Sequence, residues 1–186
     1  MSNLAATLSA IDAANAADPD LHEGGPAALL YGQRMSAELA RLFPDASDHL
    51  RIAARGQHIE RWTSPRASYP EGKAGYLAWR RDLGAFHARR VGAIMIAQGY
   101  SPEDAVQVGR MLRKEDLKRD AEVQDLEDVI CFTFLRWYFA AFAEGKDDSA
   151  ILRIVQKTAR KMSATGRSKA LETFDLPVPL AACFRL

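Results

Sequence analysis

The stretch Val129–Ala143, VICFTFLRWYFAAFA, is apolar on nearly every side and carries a single charge, Arg136. Its fifteen residues are too few to span a bilayer comfortably, so the run reads as the buried half of a helix covering Ala121 to Ala143. A helix greasy all round needs a shell of other helices. The rest of the chain supplies that shell: β-branched residues are sparse, apolar–polar alternation is absent, and Ala, Leu, Arg and Glu dominate. The expected fold class is all-α, a single helical domain over residues 1–186 with about six to seven helices around a buried central one.

Working outward, breakers and caps mark the other helices. The first covers Leu4 to Ala17 and ends before Asp18-Pro19, because the residue ahead of a proline is driven out of helical geometry. Leu29, Leu30, Met35, Leu39 and Leu42 line one face of a second helix, from Pro26 to Leu42, and Asp20 to Gly25 before it is a loop. Asp45 or Ser47 caps a third that runs to about Trp62. Thr63 to Gly75, with Pro65, Pro70, Gly72 and Gly75, reads as a functional loop. A fourth helix runs from Tyr76 to Gln98 with Gly99 as its left-handed stop. Ser101-Pro102-Glu103-Asp104 opens a fifth that ends near Lys118, and the Asp147-Asp148-Ser149 cluster opens a seventh that ends with Arg160 and Lys161. The tail from Gly166 is expected to wrap the surface.

Composition narrows the function. Apolar residues at 48% and charged residues at 26% describe a globular chain rather than a disordered one. Two cysteines, Cys131 and Cys183, are too few for a disulfide framework, and no basic-then-apolar leader is visible, so a cytoplasmic location is expected. The net charge of +1 conceals an asymmetry: residues 51–119 hold fourteen basic against seven acidic side chains, while residues 1–50 hold two against seven. A cationic middle third attracts phosphate or carboxylate groups. The near-neutral total favours a small anionic molecule or nucleotide over a long nucleic acid, and no membrane partner is implied.

Two of the four histidines fall on faces that should turn inward, His58 in step with Leu50, Ala54 and Trp62, and His87 in step with Leu83, Val91 and Met95. A buried imidazole needs an acceptor, a water or a metal for its nitrogens. Asp128 shares a face with Cys131, Phe132, Leu135 and Phe139, where a carboxylate requires an arginine or a metal. Arg61, Arg66, Lys73, Arg80 and Arg81, interleaved with Trp62, Tyr69, Tyr76 and Trp79, suit a nucleotide, whose base stacks and whose phosphate pairs with arginine. From that stretch Arg61, Lys73, Tyr76, Arg80 and Arg81 are the expected substrate-binding residues. Nucleophile elbows, phosphate-cradling glycine loops, Cys-x-x-Cys and His-Glu-x-x-His are all absent.

The stretches AIDAANAADP, LLYGQRMSAELARLFPDAS, LRIAARGQHIERW, YPEGKAGYLAWRRDLGAFHA and KRDAEVQDLEDVICFTFL resemble those of an uncharacterised bacterial and fungal family of unknown function. Some of its members carry a glutamyl-tRNA synthetase label, but this chain has neither the nucleotide-binding parallel-sheet pattern nor the length of such an enzyme. More distantly, the order His58, His87, Asp128 is similar to that of the HD superfamily of helical metal-dependent phosphohydrolases. That resemblance implies a divalent ion (Zn, Mn, Fe or Ni) on His58, His87 and Asp128, with Glu127 and Asp128 as catalytic carboxylates. The HD pattern places aspartate directly after the second histidine, where this chain has Ala88, so either another carboxylate, such as Asp82 or Glu127, has taken over or the metal site is gone. The expected function is hydrolysis of a phosphate-containing small molecule or nucleotide. The alternative is a metal-free binding protein that holds a nucleotide, an RNA end or an acidic metabolite in a basic and aromatic groove.

Overall fold

The structure is a computed structural model that describes residues 3–185. The chain is all-α, with ten α-helices among the described residues and one minimal β-hairpin. It forms two compact units that divide between Leu117 and Lys118.

The first unit contains α1 (Asn3–Asn15), a hairpin of β1 (Leu21–His22) and β2 (Gly25–Pro26), α2 (Ala27–Leu42), α3 (Asp48–Gly56), α4 (Gly72–Ala97) and α5 (Pro102–Arg113). The segment read as a loop from Asp20 to Gly25 is thus this hairpin, turned through Gly24 at φ +82°. Pro26 offers α2 no side-chain cap; buried Asp18 does the work instead, its Oδ2 accepting the Ala28 N–H at 2.8 Å. Ser47 caps α3 by accepting from Leu50 N–H. Ser101 and Asp104 close a reciprocal capping box on α5, as its Ser-Pro-Glu-Asp start requires. Ile11, Met35, Leu50, Ile52, Ile59, Leu83, Val91 and Met95 are buried and fill the space between these helices.

The third helix is shorter than its periodicity suggests. It stops at Gly56, and a turn followed by a 3-10 segment, Arg61–Thr63, replaces its last part. Gly56 lies so near α4 that a Cβ there would sit 2.5 Å from Val91 Cγ2, and Glu60 turns into the left-handed region at φ 49°. Asn15, fully buried at the end of α1, accepts the Glu60 N–H at 2.9 Å, while the Glu60 carboxylate takes a bidentate bond from Arg90 at 2.8 and 2.9 Å. The stretch 63–71 carries a second 3-10 turn, Arg66–Ser68, and is tied down by Trp79 Nε1 donating to Ser64 O and by Arg66 donating to the carbonyls of Tyr69 and Pro70. Helix α4 begins at Gly72, earlier than expected, because Gly75 lets the chain at Pro70 fold back: a Cβ there would lie 1.9 Å from Pro70 O.

The second unit holds α6 (Ala121–Thr133), α7 (Phe139–Ala143), α8 (Asp148–Lys161), α9 (Ala164–Thr173) and α10 (Val178–Ala182). The long apolar helix of the sequence reading is interrupted. Residues Phe134–Tyr138 form a π-helical turn between α6 and α7, and Arg136 and Trp137 beside it are exposed. Burial is concentrated in Val123, Leu126, Val129, Cys131 and Phe132 on α6. The tail is helical rather than a surface wrap, with Ala170, Cys183 and Phe184 buried. Both cysteines are free and buried, as packing residues should be.

Candidate functional site

Within the first unit a cleft of about 410 Å3 opens between the end of α3, the middle of α4 and the end of α5. Its volume suits a small molecule. Gln57 and His58 contribute from the turn after α3, Arg80, Arg81 and His87 from α4, and Arg113, Lys114 and Glu115 from the end of α5. Lys114 sits there because α5 terminates in the left-handed region, at φ 57°, which turns the chain across the cleft mouth.

The two histidines meet. Their ring centroids are 6.3 Å apart, with His87 4% exposed and His58 half-buried. His58 is stacked on Tyr31 of α2 at 3.8 Å and 16° between planes, and Arg61 Nη1 approaches its ring nitrogens at 3.2 and 3.4 Å. That guanidinium also lies 5.2 Å above the Trp79 ring, so Arg61 is fixed from both sides. Burial, then the positive charges of Arg61 and Arg80, push the His87 imidazole down to about 3. Burial and then Arg61 drive His58 well below the ordinary histidine range. Both rings are therefore neutral at pH 7.

Charge around the pair is lopsided. Arg80, Arg81, Arg113 and Lys114 line the cleft, and Glu115 is the one carboxylate among its described lining residues. Glu115 is already engaged by Arg113 at 2.6 Å and Arg110 at 3.8 Å, which holds its carboxyl below the usual range, chiefly through the Arg113 hydrogen bond. Arg81 pairs with the adjacent Asp82, which also accepts from Tyr69 OH. Arg80 makes no hydrogen bond or ion pair among the described residues.

A metal does not fit here. Among the described residues no three His, Cys, Asp or Glu side chains are grouped to hold one. Asp128, the expected third ligand, is in the second unit, where its carboxylate accepts from Ser163 N–H at 2.8 Å, from Ser163 Oγ–H and from Gln124 Nε2 at 3.2 Å. It therefore ties α6 to the N-terminus of α9. Glu127 beside it is buried and 3.7 Å from Lys161 Nζ, and Asp82 is occupied as above. A divalent ion at the histidines would find two neutral imidazoles, which suit it, but a ring of positive charge and no carboxylate grouped with them to offset it, which do not.

The remaining expected ligand-binding residues divide. Arg80 and Arg81 line the cleft, and Arg61 reaches it through His58. Lys73 and Tyr76 are exposed near the start of α4 and do not line it; the Tyr76 ring packs 5.9 Å from Trp79. Sequence reasoning missed Gln57, Arg113, Lys114 and Tyr31. The signal for two of them was present in the basic run Arg110, Arg113, Lys114, which only the left-handed turn after α5 brings to the histidines.

A family model described as a domain of unknown function matches residues 5–183. The chain belongs to the DUF4202 family. No curated protein and no solved structure matches it. Membership in DUF4202 bears out the resemblance to an uncharacterised family and spans both units. The DUF4202 chain has no helix, among its described residues, long and apolar enough to cross a membrane.

Proposed function

We propose that the first unit binds a small phosphate- or carboxylate-bearing molecule, a nucleotide being the fitting size, in the cleft between α3, α4 and α5. The observation that carries this reading is electrostatic. Arg80, Arg81, Arg113 and Lys114 line the cleft with two neutral imidazoles, and Glu115, the one carboxylate among its described lining residues, is already engaged by arginines. Arg61 and Arg80 have no counter-ion among the described residues, and burial, then the positive charge of Arg80, lowers the hold of the half-buried Arg61 guanidinium on its proton. An anion relieves the repulsion and gains charge-assisted hydrogen bonds, each worth about 1.5–3 kcal/mol.

Ligand-dependent thermal stability tests this directly. Pyrophosphate, AMP and ATP at millimolar concentration should raise the melting temperature of the wild type with or without a chelator. Arg80→Ala should abolish most of the shift. Stabilisation by divalent cations alone, lost on chelation, would refute the anion reading and restore the hydrolytic metal centre.

A further inference from the structure

Two buried polar atoms on the cleft wall make no hydrogen bond among the described residues, Gln57 Oε1 and His87 Nε2. Both side chains are 4% exposed. Gln57 is the C-cap of α3, its N–H bonded to Ala54 O, and Gly56 before it is pressed against Val91, one turn along α4 from His87. An amide oxygen only accepts, and a buried acceptor left unmet costs about 1–3 kcal/mol. A neutral imidazole supplies one donor and one acceptor. An apolar side chain of similar size at either position would fill the wall without that cost.

A bare anion does not answer this pair. Phosphate oxygens can accept from Arg80 and the other basic residues of the cleft, but the doubly ionised phosphate of an ester has no proton to give to Gln57 Oε1. A hydroxyl group meets both needs, donating to the Gln57 oxygen and accepting from His87 with its proton on Nε2. Resting on the anion-binding reading, we infer that the cleft selects a phosphate ester that carries a free hydroxyl, the chemistry of a phosphorylated polyol, sugar or nucleotide, over plain alkyl phosphates. The basic residues hold the phosphate, and the Gln57–His87 pair reads the hydroxyl.

The test is a matched ligand pair. Glycerol 3-phosphate and propyl phosphate share a three-carbon chain and differ in their hydroxyls, and isothermal titration of each into the full chain at pH 7.5 gives their affinities. The wild type should bind glycerol 3-phosphate roughly tenfold more tightly. In Gln57→Met, checked for its fold by circular dichroism, that ratio should collapse towards one, whereas Arg80→Ala should weaken both esters alike. Equal affinities in the wild type overturn the inference, as does a preference that survives in Gln57→Met. The wild-type comparison stands without any variant. Esters that bind alike and are both weakened by Arg80→Ala sink the hydroxyl reading alone; esters that do not bind at all sink the anion reading with it.

Discussion

Acid should weaken the first unit through one identifiable side chain, His87. In the unfolded chain its imidazole has the ordinary value of 6.5, whereas in the folded cleft burial and the fields of Arg61 and Arg80 lower it to about 3. Between these values the unfolded chain takes up a proton that the folded chain refuses, so stability falls as pH drops below about 6.5 and levels off near 3. Each unit of pH across that window costs about 1.36 kcal/mol. From pH 7 to pH 5 the loss attributable to His87 is about 2 kcal/mol. His87→Leu removes it. The measurement is urea unfolding of wild type and His87→Leu at both pH values, in buffer free of phosphate and sulfate, followed by the fluorescence of Trp62 and Trp79, both in the first unit. Acid effects from the carboxylates and from the other three histidines occur in both proteins and cancel in the difference. The wild type should lose about 2 kcal/mol more than the variant. Stability curves that run parallel with pH would show that His87 is solvated or carries a proton in the folded state, and the account of a neutral imidazole among cations would be wrong.

Three further expectations concern the framework. Gly75→Ala puts a methyl group 1.9 Å from Pro70 O, a backbone atom, and should destabilise the first unit by about 3 kcal/mol in thermal or urea unfolding. Gly166→Ala places a Cβ 2.5 Å from Asp128 Oδ2, a carboxylate pinned by Ser163, and should cost about 1–3 kcal/mol; in an Asp128→Ala background the same change should cost almost nothing, a coupling that a double-mutant cycle measures. Asn15→Ala removes the acceptor that holds Glu60 in its left-handed turn, and should lower the affinity for pyrophosphate severalfold by loosening His58, although Asn15 does not line the cleft.

Much of the helical order was legible because it is written locally. Ser47, Ser101 and Asp147 cap helices where their side chains and the residues after them say they should, and Gly99 adopts φ +85° just past α4. The His58–His87 meeting was legible through the spacing of their apolar neighbours, although His58 arrives there on a turn rather than on the helix its periodicity suggested. What escaped depends on contacts between distant positions. Gly56 ends α3 because Val91 is there, and Asp128 is satisfied by Ser163, thirty-five residues later. Neither partner leaves a mark in the local pattern. The reading of Asp128 meets the same obstacle: a buried carboxylate demands a partner, but composition does not say whether that partner is an ion or a serine at a helix N-terminus.

The cleft is also where the chain departs most from what its fold requires. Glu60 and Lys114, which flank it in sequence, occupy the left-handed region without being glycine, each at a cost of about 1–2 kcal/mol. Gln57 and His87 bury polar atoms that make no hydrogen bond among the described residues, and burial, then the positive charge of Arg61, lowers the hold of both His58 and His87 on protons. None of these features holds a helix together. Glycine at 114, leucine at 87 and methionine at 57 would each relieve one of them and leave the packing of α3, α4 and α5 intact. Glu23 also takes the left-handed region and Asn15 Nδ2 is also buried without a hydrogen bond among the described residues, but the gathering of such departures around the cleft suits a site kept for its ligand. Where the penalties are electrostatic repulsion and unmet hydrogen bonds, the ligand that removes both is an anion that also carries a proton to donate.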